Sequence, residues 1–159
     1  MGALETPAKS QSPIDRGAVK RWLAFALLVL TLNFAWEMMQ AKWFASMEGL
    51  PLWRATLLCF RAALGDLVIT AIAFALAAIV AKSATWPMQR RVAVATAAFV
   101  VIGMAITIAY EVFALSTGRW RYDQTMPTLF GMGVLPLLQW LLLPVIDVLL
   151  FRLISRRAT

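Results

Sequence analysis

The sequence predicts an all-α, polytopic membrane protein: a four-helix transmembrane bundle with both termini in the cytoplasm. Three observations carry that expectation. Apolar residues fill 62% of the 159 positions and charged residues only 14%, and the mean hydropathy is +0.77, outside the range of ordinary soluble domains. Four apolar stretches, residues 22–44, 53–81, 92–115 and 133–154, each exceed the roughly 20 residues that a helix needs to cross a bilayer. Finally, the lysines and arginines flank those stretches unequally. Lys9, Arg16, Lys20, Arg21, Lys82, Arg90, Arg91, Arg152, Arg156 and Arg157 fall on one side, and only Lys42, Arg54, Arg119 and Arg121 on the other. Basic residues accumulate on the cytoplasmic side, so the loops around Glu48 and Asp123 face outward. The net charge of +7 thus reflects orientation in a membrane, with no single basic run of the kind that binds nucleic acid.

Residues 1–20, with "TPAKSQSPIDRG", are polar and read as a disordered cytoplasmic arm. The first span follows a basic stretch as a signal peptide would, but no small-residue cleavage site follows, and Trp36 and Trp43 occupy that region. It is read as a retained helix. The loop "SATWPMQRR" joins the second and third spans as a short turn, with Pro87 ending helix and Trp86 suited to the interface. The outer loop, residues 116–133, is richer: "STGRWRYDQTMPTLFGMG" combines Trp120, Tyr122, two arginines, Asp123, Pro127 and three glycines. A lid and a re-entrant segment both fit it, the latter only where protein or water satisfies its backbone. Residues 21–159 form one bundle without repeats.

Histidine is absent and Cys59 is the single cysteine. That removes internal disulfides, the usual zinc and transition-metal ligands, and His-ligated haem. No metal or other cofactor is expected, and Cys59 reads as a small apolar packing residue.

The informative residues are the expensive ones. Four of the eight acidic residues, Glu37, Asp66, Glu111 and Asp147, fall inside predicted spans, together with Arg61. An ionised side chain at the bilayer centre costs roughly 2.5–3.5 kcal/mol on insertion scales, so these groups must face inward, pair or hold a proton. Glu37 lies 15 residues into the first span, about 22 Å deep in a core of about 30 Å. Glu111 is late in the third span, Asp66 near the middle of the second, and Gln139 in the outer half of the fourth. Four helices thus deliver polar groups to one zone beneath the outer loop. Asn33, Glu37 and Gln40, at i, i+4 and i+7, share one face. Arg61 and Asp66 are five apart, about 140° around the helix, so Arg61 is expected to pair across helices with Glu37 or Glu111.

Two readings of this zone stand side by side. In one, the polar groups are structural, fixing helix register by interhelical hydrogen bonds. In the other, desolvation and like charge leave one carboxyl able to exchange protons, with Glu37, Asp66 and Glu111 as general acids or bases. Arg61 would then set their protonation, Asn33, Gln40 and Gln139 would orient a ligand, and Trp120 with Tyr122 would close over it. Asp147 reads as a structural acid near Arg152. Gly65 suits close helix packing as well as a site. Trp36, Trp43, Trp53, Trp120 and Trp140 fit an interfacial aromatic belt, and Pro127, Pro136 and Pro144 fit helix starts and kinks.

Taken in order, "NFAWEMMQ", "LGDLVIT", "YE", "GRWRYDQTMP" and "GMGVLPLLQWLLLP" resemble the pattern of a family of small uncharacterised bacterial inner-membrane proteins. The resemblance covers residues 32–144. It implies four helices in the inner membrane and brings no activity with it. Where the family pattern has Ser-Glu in the third span, this chain has Tyr110 and Glu111. A looser likeness, of chemistry and not of motif, is to small membrane enzymes that move protons on isoprenoid or sterol olefins. The functional expectation is therefore an enzyme doing acid/base chemistry on a lipophilic substrate. The alternative is a lipid or small-molecule binder, a proton-coupled carrier, or an accessory subunit. The partners implied are membrane lipids, a lipophilic ligand, and further copies of the chain or a larger membrane complex.

Overall fold

The computed structural model describes residues 16–90 and 92–157. Its elements are α1 (Arg16–Gln40), α2 (Leu52–Ala81), α3 (Val92–Ser116) and α4 (Val134–Arg157), with a two-residue hairpin, β1 (Thr128–Leu129) and β2 (Met132–Gly133), just before α4. All four helices are long and apolar enough to cross a membrane. Of the arm expected over residues 1–20, residues 1–15 lie outside the described residues, and 16–20 already belong to α1.

Each helix packs on its neighbours in sequence, and α4 closes the ring against α1. The distribution of polarity is that of a protein dissolved in lipid. Leu27, Leu57, Val68, Ile79, Val101 and Leu149 are exposed, while Asn33, Gln40, Thr70, Thr107, Glu111, Gln139 and Asp147 are buried. In water such an exterior would be a far larger apolar patch than soluble monomers tolerate. In a bilayer it costs nothing, and the inward polar groups escape the hydrocarbon.

Helix ends follow local chemistry. Pro51 precedes α2, where its missing N–H is no loss. At the other end Lys82 adopts a left-handed conformation (φ 53°), and Ser83 N–H donates to the Ala78 carbonyl at 3.0 Å, closing the helix as C-terminal caps do. Pro136 sits in the first turn of α4 and Pro144 in its interior. There the ring leaves the Trp140 carbonyl without its helical donor.

At the end of the bundle where α2 leads into the turn at Trp86–Met88, Trp22, Phe25, Phe74, Trp86, Phe99 and Phe151 form an aromatic cluster. Phe25 and Phe151 stand 4.8 Å apart, and Phe74 and Trp86 5.0 Å. Trp86 is fully buried here and not interfacial as the sequence suggested, because the short turn Trp86–Met88 tucks the indole between α2 and α3. Trp140 also departs from the belt. Its ring lies over Gly103, where a Cβ would overlap the indole, so glycine permits α3 and α4 to approach with the tryptophan between them. Gly65 does no such work: nothing lies near its Cβ position.

The loop between α3 and α4 folds back as a cap. Phe44 and Tyr122 form an antiparallel bridge, fastened by Ala45 N–H to the Arg121 carbonyl at 3.0 Å and Asp123 N–H to the Trp43 carbonyl at 2.9 Å. Held by this bridge, the Tyr122 side chain turns into the bundle, where its hydroxyl reaches Glu111.

Candidate functional site

The site is assembled from one face of each helix. On α1, Asn33, Glu37 and Gln40 stack as their spacing predicts. The Trp36 indole, which can only donate, bonds Gln40 Oε1 at 3.2 Å. That leaves Gln40 Nε2 for Glu37 Oε1, at 2.7 Å. The same logic orients Asn33. Its Nδ2 donates to the Val29 carbonyl at 2.9 Å, so its Oδ1 faces the interior as an acceptor.

Gln139 from α4 joins three helices. Its Nε2 donates to Asn33 Oδ1 at 2.9 Å and to Asp66 Oδ2 at 2.9 Å, one N–H for each. The Glu37 carboxyl meets Asp66 and also faces Gln139. Cys59 Sγ donates to the Glu37 carbonyl at 3.6 Å, a weak contact that joins α2 to α1 at this level. The Trp140 indole N–H faces Asp66 but makes no hydrogen bond.

Glu111 completes the cluster from α3. It is 5% exposed, close enough to act electrostatically on Glu37 and Asp66. The cap supplies its donors: the Tyr122 hydroxyl and, at 3.4 Å, the Trp120 indole N–H, both to Oε2. Burial, then the bond to Glu111, push the Tyr122 hydroxyl above its ordinary pKa, so it remains a donor well into the alkaline range. Gly133 fits this contact. A Cβ there would stand 3.1 Å from the Tyr122 ring and 2.6 Å from Met126 Cε. Asp123, beside it, turns the other way. Its Oδ1 accepts from the Thr125 hydroxyl at 2.6 Å and the Thr125 N–H at 2.9 Å, bonds that hold its carboxyl below the usual range and pin the loop.

Two expectations fail. Arg61 is exposed and makes no ion pair with Glu37 or Glu111, because the turn of about 140° that separates it from Asp66 carries it to the outer surface. Asp147 is not paired with Arg152, whose Nη1 instead donates to the Gln89 carbonyl at 3.5 Å. Asp147 is 1% exposed and its Oδ1 has no hydrogen-bond partner. It closes a narrow gap with Asn33, Thr70, Gln139 and Pro144 that has no room for a water molecule. The carboxyls of Glu37, Asp66 and Glu111 therefore meet hydrogen-bond donors but no lysine or arginine among the described residues.

Sequence reasoning overlooked Trp36, Cys59, Thr70 and Trp140. Thr70 was findable: it is four after Asp66, so it shares that carboxyl's face. Trp140 was not, since its role depends on Gly103 of another helix. Among the described residues no three of His, Cys, Asp or Glu come together as metal ligands. The arrangement offers hydrogen-bond exchange and proton transfer between carboxyls, amides and a phenol. Comparison of the chain with protein-family models, curated proteins and solved structures yields no match, so the chemistry of the site is read from its geometry.

Proposed function

We propose that this integral membrane protein carries an intramembrane acid/base site that acts on a lipophilic, isoprenoid- or lipid-like substrate entering from the outer leaflet. The observation that carries the reading is a set of three inward carboxyls, Glu37, Asp66 and Glu111, on three helices and without a cationic partner among the described residues. Neighbouring carboxyls removed from water cannot all carry charge at acceptable cost. A proton resident among them can be given to a bound molecule and recovered. Tyr122 and Trp120 close the cluster on the loop side, where a cap that swings away would admit ligand. The ten-to-four division of basic residues supports an inner-membrane orientation with both termini in the cytoplasm and the cap outside.

The test compares lipid extracts of cells making wild-type protein, Glu37→Gln or Asp66→Asn at equal membrane levels. An apolar species altered by the wild type and left unaltered by both variants is expected. Identical profiles in all three refute the enzymatic reading.

One observation favours a second reading. Gln139, Asn33 and Asp66 satisfy one another with little space between, as in a bundle tied for stability that serves as a binder, a carrier or an accessory subunit. Extraction in mild detergent separates the two: a copurifying protein supports the subunit, and a copurifying apolar small molecule supports a ligand site.

A further inference from the structure

A groove runs down the outside of the bundle between α3 and α4, away from the acidic cluster. It has a volume of about 560 Å³, within the range of small-molecule sites. Val92, Ala97 and Val101 form one wall, Leu141 and Val145 the other, and Arg152 stands at one end. From Leu141 to Arg152 is eleven residues, about 16 Å of helix, which matches the half-thickness of a hydrocarbon core of about 30 Å. The groove is thus one leaflet long, apolar along its length and cationic at the boundary.

Among the described residues the charge at that boundary is of one sign. Lys20, early in α1, Lys82 and Arg90, after α2, and Arg152, late in α4, all lie toward this end of the bundle. The carboxylates among the described residues lie elsewhere, at Glu37, Glu48, Asp66, Glu111, Asp123 and Asp147. Arg152 spends one N–H on the Gln89 carbonyl, at a long 3.5 Å. A guanidinium has five, so it has donors to spare for phosphate oxygens.

We propose that this groove is a specific site for a phospholipid with an anionic headgroup, one acyl chain lying between Ala97 and Val145 and the phosphate held by Arg152. Small residues on α3 provide the depth: Ala97 is exposed in the groove wall, and a larger side chain there would fill it.

The test uses the full chain, purified in mild detergent, stripped of lipid and offered phosphatidylglycerol and phosphatidylcholine in equal amounts. Bound lipid is read by native mass spectrometry. Wild-type protein is expected to retain phosphatidylglycerol preferentially. Arg152→Gln is expected to lower that retention about five-fold, the factor that one basic contact with an anionic surface is worth. Arg152→Lys is expected to keep most of it. Ala97→Phe, which leaves the charge in place, is expected to lower it by a similar factor, with helical circular dichroism confirming the fold. Unchanged retention in either Arg152→Gln or Ala97→Phe overturns the proposal, as does equal retention of the two lipids by wild type. A Cys59→Ser, Ala97→Cys chain that forms disulfide-linked dimers in native membranes also overturns it, by assigning the groove to a second copy.

Discussion

Replacing Gln139 by leucine, which keeps the volume near that of glutamine, removes both donors that link α4 to α1 and α2. Asn33 Oδ1 and Asp66 Oδ2, each 2.9 Å from Gln139 Nε2, then lose that partner, and the gap beside Asn33 has no room for water. Interhelical hydrogen bonds in membranes average about 0.6 kcal/mol and reach about 1.7, whereas a buried acceptor left unsatisfied costs about 1–3 kcal/mol. Two bonds at the membrane values give an expected loss of about 1–3 kcal/mol. The assay is unfolding in mixed micelles, followed by helical circular dichroism, as a double-mutant cycle with Asp66→Ala. If the pair interacts as the geometry shows, the double variant departs from additivity by about 0.5 kcal/mol or more. Additivity within about 0.3 kcal/mol, with Gln139→Leu as stable as wild type, would refute the view that Gln139 ties the bundle.

Other outcomes follow from single contacts. In Tyr110→Phe, Tyr122 is the one remaining tyrosine. Its hydroxyl is raised by burial and by Glu111, so its contribution to stability is complete below the ordinary tyrosine pKa of about 10 and is lost as pH rises through the folded value. Ultraviolet titration of the folded chain should therefore show no tyrosinate where the unfolded chain already does; coincident titration contradicts the contact. Asp147→Val should raise the unfolding midpoint by an amount corresponding to about 1 kcal/mol, since it replaces a buried carboxyl with an unpartnered oxygen by an apolar side chain; a lowered midpoint would show that the carboxyl is held by something else. Phe130, 92% exposed at the hairpin tip, has φ 51° beside Gly131 at φ 80°, a pair of left-handed residues that a tight hairpin turn requires. Phe130→Asn should stabilise the detergent-solubilised protein by about 1 kcal/mol, and a loss of stability would mean that the ring has contacts outweighing its backbone strain.

The fold class was legible because it rests on composition and length. Four runs long enough to span, separated by polar turns, admit few arrangements, and lipid demands that every backbone group be bonded within its helix. Convergence of polar residues was also legible in part. Asn33, Glu37 and Gln40 share a face by helical periodicity alone, and the depth of Asp66, Glu111 and Gln139 follows from about 1.5 Å per residue.

Which groups meet was not legible. Arg61 offered the obvious counter-charge, yet rotation about α2 sends it outward, and the donors for the carboxyls come instead from two amides, a phenol and one indole. Trp86 and Trp140 carry the composition of an interfacial belt and the positions of a core. Their burial depends on the Trp86–Met88 turn and on Gly103, whose packing against neighbouring elements no local pattern contains. The sequence by itself determined that polar side chains must turn inward, because hydrocarbon penalises each of them separately. Only the tertiary structure decided their partners, because a hydrogen bond requires two groups on different helices to agree in rotation, depth and direction, and those quantities are settled jointly by packing.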